Sequence, residues 1–199
     1  MDEAVLRALA RWPNVPSVYG WLALDRRGNW LIKGEPIRNP GVQAFIARNY
    51  ESDDRGRWFF QNGPQRVFVS LARLPYVLRA AAGEPLQLET HTGVPVAHVT
   101  GALLDDDGGL ILRWPGGVGS VDDRDLARVA GRFTDAGGRS LTDAELEGAL
   151  DAGSRGRRAG FCFDFAGERL PIGRLQAAQL SQKFGFDPDP RPAPGEPEC

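Results

Sequence analysis

Two side chains in this chain of 199 residues have the chemistry of a nucleophile and its base: Cys162 in the run GFCFDF and His91 in ETHTG. A thiol attacks only as a thiolate, so Cys162 needs a proton acceptor in a positive surrounding. His91 can accept that proton and Asp164 can complete the set, which would make the chain a small-molecule enzyme. The competing account is structural. A buried free cysteine usually behaves as a small hydrophobe, and a lone imidazole near a strand end usually makes a local hydrogen bond. Thr90 and Thr92 flank His91 at a strand end, where side chains gather on ligands. Thr90, His91 and Thr92 are therefore candidates for binding without catalysis. Trp30 is a fourth, an aromatic beside the loop GEPIRNP.

Other chemistries lack their spacing. His91 and His98 stand seven residues apart, and neither belongs to a CxxC or HExxH arrangement, so no metal ligands are assigned and no cofactor is expected. Asp105, Asp106 and Asp107 start like a calcium loop, but Gly108 comes too early and the twelfth position has no glutamate. A solvated turn is the expectation. PGGVGS lacks the GK[ST] ending of a phosphate loop and reads as a flexible connection. Arg155, Arg157 and Arg158 either hold an anion or form a charged loop between a helix and a strand, and the loop is favoured.

Bulk properties narrow the partners. The formal net charge is −2, with a pI near 5.8, without the basic signature of phosphate neutralisation, so nucleic acid is not an expected partner. Hydrophobic residues make up 42% of the chain, enough for a real core, yet arginines and acids interrupt every apolar run, which excludes membrane insertion by a helix. The start DEAVLRALARW lacks the basic and apolar regions of a secretory signal, and the two cysteines, Cys162 and Cys199, offer no disulfide framework. The expected location is the cytoplasm, and the expected partner is a small molecule or a protein. Basic charge comes almost wholly from arginine, with Lys33 and Lys183 the only lysines, a usage read as the codon bias of a high-GC genome.

The elements that must position these residues follow from periodicity. Val5, Leu6, Leu9 and Trp12 recur at helical spacing, and Asp2 can cap that helix. Residues 19–25 and 29–33 read as a hairpin closed by DRRG. A helix follows Pro40 through Val42, Phe45, Ile46 and Tyr50. RWFFQ and RVFVSL form a second strand pair, and PYVLRA, LQLETH and VAHVTGALL are further β runs. Thr142 and Glu145 make a capping box for another helix. AGFCFDFAGERLPI is a hairpin turning at Ala166 and Gly167, and IGRLQAAQLSQKF is a closing helix. The Pro-rich segment 187–199 has no apolar period and is set outside the core.

LALDRRGNWLIK at 22–33 aligns with ALLDDDGGLILR at 102–113, and a helical stretch follows each. The expected fold is α+β, built from two tandem, internally duplicated units, each a curled, mainly antiparallel sheet wrapped on a helix. Residues 1–18 form an N-terminal helix and linker, 19–95 the first unit, 96–186 a diverged second unit with an added helix, and 187–199 the tail. Trp30 is predicted to pack between the first sheet and its helix, the alternative being an exposed stacking platform.

Asp25, Gly28, Trp30, Gly34, Pro36, Ile37, Phe45, Pro75 and Tyr76 form a pattern over residues 19–113. It resembles a bacterial family of domains of unknown function with repeated sheet-and-helix motifs. The resemblance implies two similar domains and a part in signal transduction or ligand sensing, and it brings no catalytic residues. With no complete constellation for a reaction, the favoured reading is a non-enzymatic binding or regulatory module. The alternative is an enzyme using His91 with Cys162.

Overall fold

One local chemistry recurs four times along the chain. The Asp25 carboxylate accepts the amide hydrogens of Arg27 and Asn29 at 2.8 and 2.7 Å. Asp53 does the same for Arg55 and Arg57, both at 3.0 Å. Asp105 takes Asp107 and Gly109 at 3.1 and 2.8 Å, and Asp135 takes Gly137 and Arg139 at 2.9 and 3.0 Å. In each loop the fourth residue is a glycine with φ between 73° and 91°. A residue with a Cβ pays about 1–2 kcal/mol in that region. A short carboxylate that bonds its own backbone is the mechanism by which Asp and Gly reverse a chain.

The structure, a computed structural model, describes residues 1–12, 14–83, 85–154 and 160–195. The chain divides into two compact units, one of Met1–Pro75 with the segment that begins at Ser181, the other of Tyr76–Leu180. The first holds α1 (Glu3–Arg11), β1 (Val18–Leu24), β2 (Trp30–Ile32), β3 (Glu35–Pro36), α2 (Pro40–Arg48), β4 (Tyr50–Ser52), β5 (Trp58–Asn62) and β6 (Gln65–Leu71). Its sheet runs β3-β2-β1-β6-β5-β4. β1 and β2 pair antiparallel, and β6 returns parallel to β1. A parallel return needs a long crossover, and α2 lies on it. Asn39 caps α2 by accepting from the amides of Gly41 and Val42, with Pro40 in its first turn.

Residues paired across a ladder share a face. Leu24 pairs with Trp30 and Leu71, Leu22 with Ile32 and Val69, and Phe60 with Val67 and Tyr50, so these side chains form one apolar face. Trp30 is 3% exposed and meets the Tyr50 ring edge-on at 5.0 Å. On the other face Tyr19 stacks on Phe68 at 4.5 Å, and the Arg57 guanidinium lies 4.5 Å over Phe68. Arg57 also donates to the Tyr19 hydroxyl at 3.2 Å and to Asp53 at 2.8 Å. Burial pushes the Asp53 carboxyl up, but hydrogen bonds from Arg57 and Arg55 outweigh it and hold the group below its ordinary value.

The second unit holds β7 (Tyr76–Ala80), β8 (Leu88–Thr90), β9 (Pro95–Val96), β10 (Gly101–Asp105), β11 (Leu110–Trp114) and β12 (Gly117–Val121). A 3-10 turn at Asp123–Asp125 then leads to α3 (Leu126–Ala130), β13 (Phe133–Thr134), α4 (Asp143–Ser154), β14 (Cys162–Phe165) and β15 (Glu168–Leu175). Its sheet runs β13-β14-β15-β10-β11-β12-β7-β8-β9. The stretch β12-β11-β10-β15-β14-β13 follows the path of β3-β2-β1-β6-β5-β4, with β15 parallel to β10 as β6 is to β1. Among the described residues β7, β8 and β9 have no counterpart strands in the first unit, and β7 joins β12 in parallel. A buried cluster runs through this unit, including Leu86, Leu88, Val96, Leu112, Val129 and Phe163. No described helix is long and apolar enough to cross a membrane.

The fold is α+β as expected, and both sheets are mainly antiparallel, though mixed, because each carries a parallel return. Several local expectations change. The runs at 76–96, predicted with the first unit, hydrogen-bond into the second sheet. PGGVGS contributes to β12, which is held between β11 and β7, instead of a flexible connection. Tyr50 leaves the helix to start β4, and Glu35 and Pro36 of the expected loop form β3. The closing helix shortens to α5 (Leu180–Phe184) after a 3-10 turn, because Ile172–Leu175 pair with β10. Part of the tail is also ordered. The Asp187 amide donates to the Gly56 carbonyl at 2.9 Å, and the Leu71 amide to the Pro188 carbonyl at 2.8 Å. Backbone pairing needs no apolar period, which is why composition hides it. Thr142 and Glu145 do form the capping box of α4.

Candidate ligand-binding groove

Neither of the two cavities described below is lined by His91 or Cys162, and His91 is tied to β7. Its amide donates to the Val77 carbonyl at 2.7 Å, and its Nδ1 accepts the Val77 amide at 3.3 Å. Its ring tilts against Tyr76 at 5.9 Å. These contacts lie on β7. Thr90 is buried, shares a hydrogen bond with the Thr92 hydroxyl at 2.8 Å and accepts the Val94 amide at 3.0 Å, so the pair fastens the turn between β8 and β9. Cys162 and Asp164 share the half-buried face of β14, opposite Phe161, Phe163 and Phe165. The Asp164 carboxylate accepts from the Thr134 hydroxyl at 3.2 Å and from Arg169 at 3.1 Å. β15, β10, β11, β12 and β7 stand between β14 and β8 in the strand order. His98 is exposed between β9 and β10. Trp30 is too buried for a stacking platform. Arg155, Arg157, Arg158 and Cys199 lie outside the described residues. Among the described residues no group of three or more His, Cys, Asp or Glu is arranged to hold a metal.

Each unit has a cavity. In the second, about 480 Å³ lies beside Leu86, Leu88, Val96 and Phe165, with Arg132, Asp164 and Glu89 in its wall. The nine-stranded sheet curls enough for β8, β9 and the β14–β15 turn to line one space. Asp164 already has Thr134 and Arg169 on its oxygens.

The cavity of the first unit differs in chemistry. A groove of about 380 Å³ lies between α2 and the apolar sheet face, lined by Leu22, Ile32, Ile37, Val42, Ile46 and Phe60, with Trp21 at its side. Trp21, Ile32 and Val42 are 46%, 49% and 44% exposed, so three large apolar side chains meet water together at one opening. Single exposed apolar residues are ordinary, whereas a joined set marks a binding surface.

Two backbone irregularities build this opening. The β1–β6 ladder shifts register between Val18 and Leu22, and Gly20 in the shifted stretch has φ +69°. A bulge of this kind re-aims a side chain, and Trp21 lies within it. At the turn from β2 to β3, Lys33 has φ +47°, one of two described non-glycine residues with positive φ. Its amide donates to the Trp21 carbonyl at 2.8 Å, and its ammonium lies 3.6 Å over the Trp21 ring. Outliers of this type concentrate at functional sites.

The corresponding face of the second unit is closed. By ladder position Leu22 and Ile32 correspond to Ala102 and Leu112, and Phe60 to Phe163. Leu112 and Phe163 are both 0% exposed, within a cluster that includes Leu86, Leu88, Val96 and Val99. The chain between β7 and β10 thus supplies apolar cover that the first unit lacks.

A family model, DUF2944, described as a protein of unknown function (DUF2946), matches residues 1–191. The chain belongs to that family. Its fold is similar to that of a DUF1285 family protein from Silicibacter pomeroyi DSS-3, with a TM-score of 0.51 and 14% identity over 83% of this chain and 86% of that one. A DUF1285 family protein from Shewanella baltica OS155 matches 58% of this DUF2944 chain and 91% of its own, with 20% identity and a TM-score of 0.41. No curated protein matches.

Sequence reasoning passed over Trp21 and Lys33. The available signals were Gly20 inside a strand pattern, which suggests a bulge, and the Lys33-Gly34 pair, which stands where a tight hairpin turn needs two positive φ values.

Proposed function

We propose that the protein is a non-enzymatic ligand-binding module that acts by occupancy in the cytoplasm of a bacterium. The observation that carries this reading is the open apolar groove of the first unit. Its volume and its aliphatic and aromatic walls suit a small molecule. The polar side chains in its lining are the amides of Asn62 and Gln65, which can orient a ligand but have no acid, base or nucleophile with which to transform it. Binding without turnover fits a part in signalling, where occupancy itself is the message.

Internal duplication belongs to the same reading. The shared strand path, the parallel return in each unit and the Asp-x-x-Gly loops at Asp25 and Asp105, and again at Asp53 and Asp135, all support descent of both halves from one unit. One copy then kept an open face, and the other covered it with its own chain.

A thermal-shift screen of small apolar compounds tests the binding role. A ligand of the native state at 100 times its Kd adds about 2.7 kcal/mol. Compounds that raise the melting temperature of the wild type should leave Val42→Trp unshifted, because the indole fills the groove mouth. No stabilising compound, or equal shifts in both proteins, would overturn the reading.

A further inference from the structure

We infer that the groove of the first unit takes a single-chain amphiphile with one carboxylate, of the medium-chain fatty-acid type. The chain lies among Leu22, Ile32, Val42, Ile46 and Phe60, and the carboxylate sits on the Lys33 ammonium. This inference rests on the reading of the groove as a ligand site and names the class of ligand.

The apolar half of the argument comes from the walls and from the second unit. There the equivalent face is satisfied by aliphatic side chains, Leu86, Leu88, Val96 and Val99, packed into one cluster with Leu112 and Phe163. A face of this composition is matched by hydrocarbon, because apolar surface gains by leaving water.

The polar half comes from Lys33. It is one of the two lysines in the sequence; it is exposed and lies outside the groove lining itself, but its ammonium stands over the ring of Trp21, which does line the groove. Among the described residues no carboxylate lies within 4.0 Å of it. A surface lysine with no ion pair is ordinary, but one held at positive φ is not. The Lys33 backbone is fixed there by its bond to the Trp21 carbonyl, and Trp21 is itself placed by the Gly20 bulge. The two irregularities bring one cation and one aromatic ring together at the open end of an aliphatic groove. One ammonium matches one monoanion. A phosphate dianion would leave its second charge uncompensated by this single ammonium, and Glu35, whose backbone pairs with Ile32, adds negative charge to the same hairpin.

The experiment compares three ten-carbon probes below their micellar concentrations by isothermal titration calorimetry on the whole protein: decanoate, decanol and decyltrimethylammonium. Decanoate should bind most tightly. Lys33→Gln should weaken decanoate about tenfold, the loss of roughly one charge-assisted hydrogen bond, and leave decanol within about twofold of wild type. Lys33→Gln should fold as the wild type does, since glutamine meets the same positive-φ cost as lysine, with a melting temperature lowered only by the loss of the ammonium's contact with the Trp21 ring. If decanoate and decanol bind equally, or Lys33→Gln weakens both alike, the carboxylate assignment is overturned and the groove reading stands. If none of the three binds, both fall. If decanoate binding persists unchanged in Val42→Trp, the ligand lies elsewhere and the assignment to this groove fails. Sedimentation with each probe shows whether a second copy of the chain occupies the groove instead, which would also overturn it.

Discussion

The two units share a strand path and differ in what lies on the apolar face. In the second, Leu112 has no exposure, under an apolar cover that includes Leu88 and Val96; in the first, Ile32 at the corresponding place is half exposed at the mouth of a groove. One scaffold can therefore be finished by its own chain or left for something else to finish. The first solution adds to the core, and the second leaves an apolar groove open to solvent.

The largest expected effect tests that contrast directly. Leu112→Ala should cost about 2–5 kcal/mol, as buried leucine truncations do, whereas Ile32→Ala should stay within about 1 kcal/mol. Urea midpoints of the two variants measure both. Comparable losses would mean that the first groove is as much core as the second.

A smaller difference lies in the helix caps. Asn39 starts α2, and Asp122 caps the corresponding turn in the second unit by accepting from the Arg124 amide. Burial pushes the Asp122 carboxyl up, yet the hydrogen bonds and charge of Arg124 outweigh it and bring the group to about 2. Because the folded value is lowered, this stabilisation is complete above the unfolded value near 3.8 and disappears as pH falls toward 2. The contribution is on the order of 2 kcal/mol, reduced by water around the half-exposed Arg124. Denaturation between pH 6 and 2.5 should show Asp122→Asn less stable at pH 6 and flatter in acid, while Asn39→Ala shifts stability without altering its pH dependence.

The smallest effects belong to the two strained turns. Lys33 and Ala166 each hold positive φ before a glycine in a tight hairpin. Lys33→Gly and Ala166→Gly should each raise stability by about 0.5–1 kcal/mol, read as melting temperature. Only Lys33→Gly should also weaken decanoate. Equal loss in both would detach the strain at Lys33 from ligand recognition.

These contrasts also explain what the sequence revealed. The DRRG and DDDG turns were legible because an Asp carboxylate bonding the next few amides is a local event. The same reasoning would have found Asp53-x-x-Gly56 and Asp135-x-x-Gly138, whose spacing is identical. The Thr142–Glu145 box and the alternation of Phe161, Phe163 and Phe165 were legible for the same reason. The assignment of 76–96 to a sheet was not, because β7 pairs with a strand some forty residues later and nothing within PYVLRA names that partner. The groove stayed hidden for a related reason. Trp21 looks like one more strand aromatic until the β6 register shows the slip at Gly20, and Lys33 looks like any surface lysine until its backbone is known. His91, Cys162 and Asp164 drew attention by residue type, and type carries no information about which strands adjoin.

The segment that closes the first unit has a consequence for how the protein is made. The Leu71 amide waits for the Pro188 carbonyl, and Gly56 for Asp187, yet a ribosome must first produce all of Tyr76–Leu180. At 5–20 residues per second that interval lasts roughly 5–20 s. For that interval the first unit's strands lack these last backbone partners, whereas every strand of the second unit's sheet lies within Tyr76–Leu180 itself. The half of the molecule that begins first is completed last.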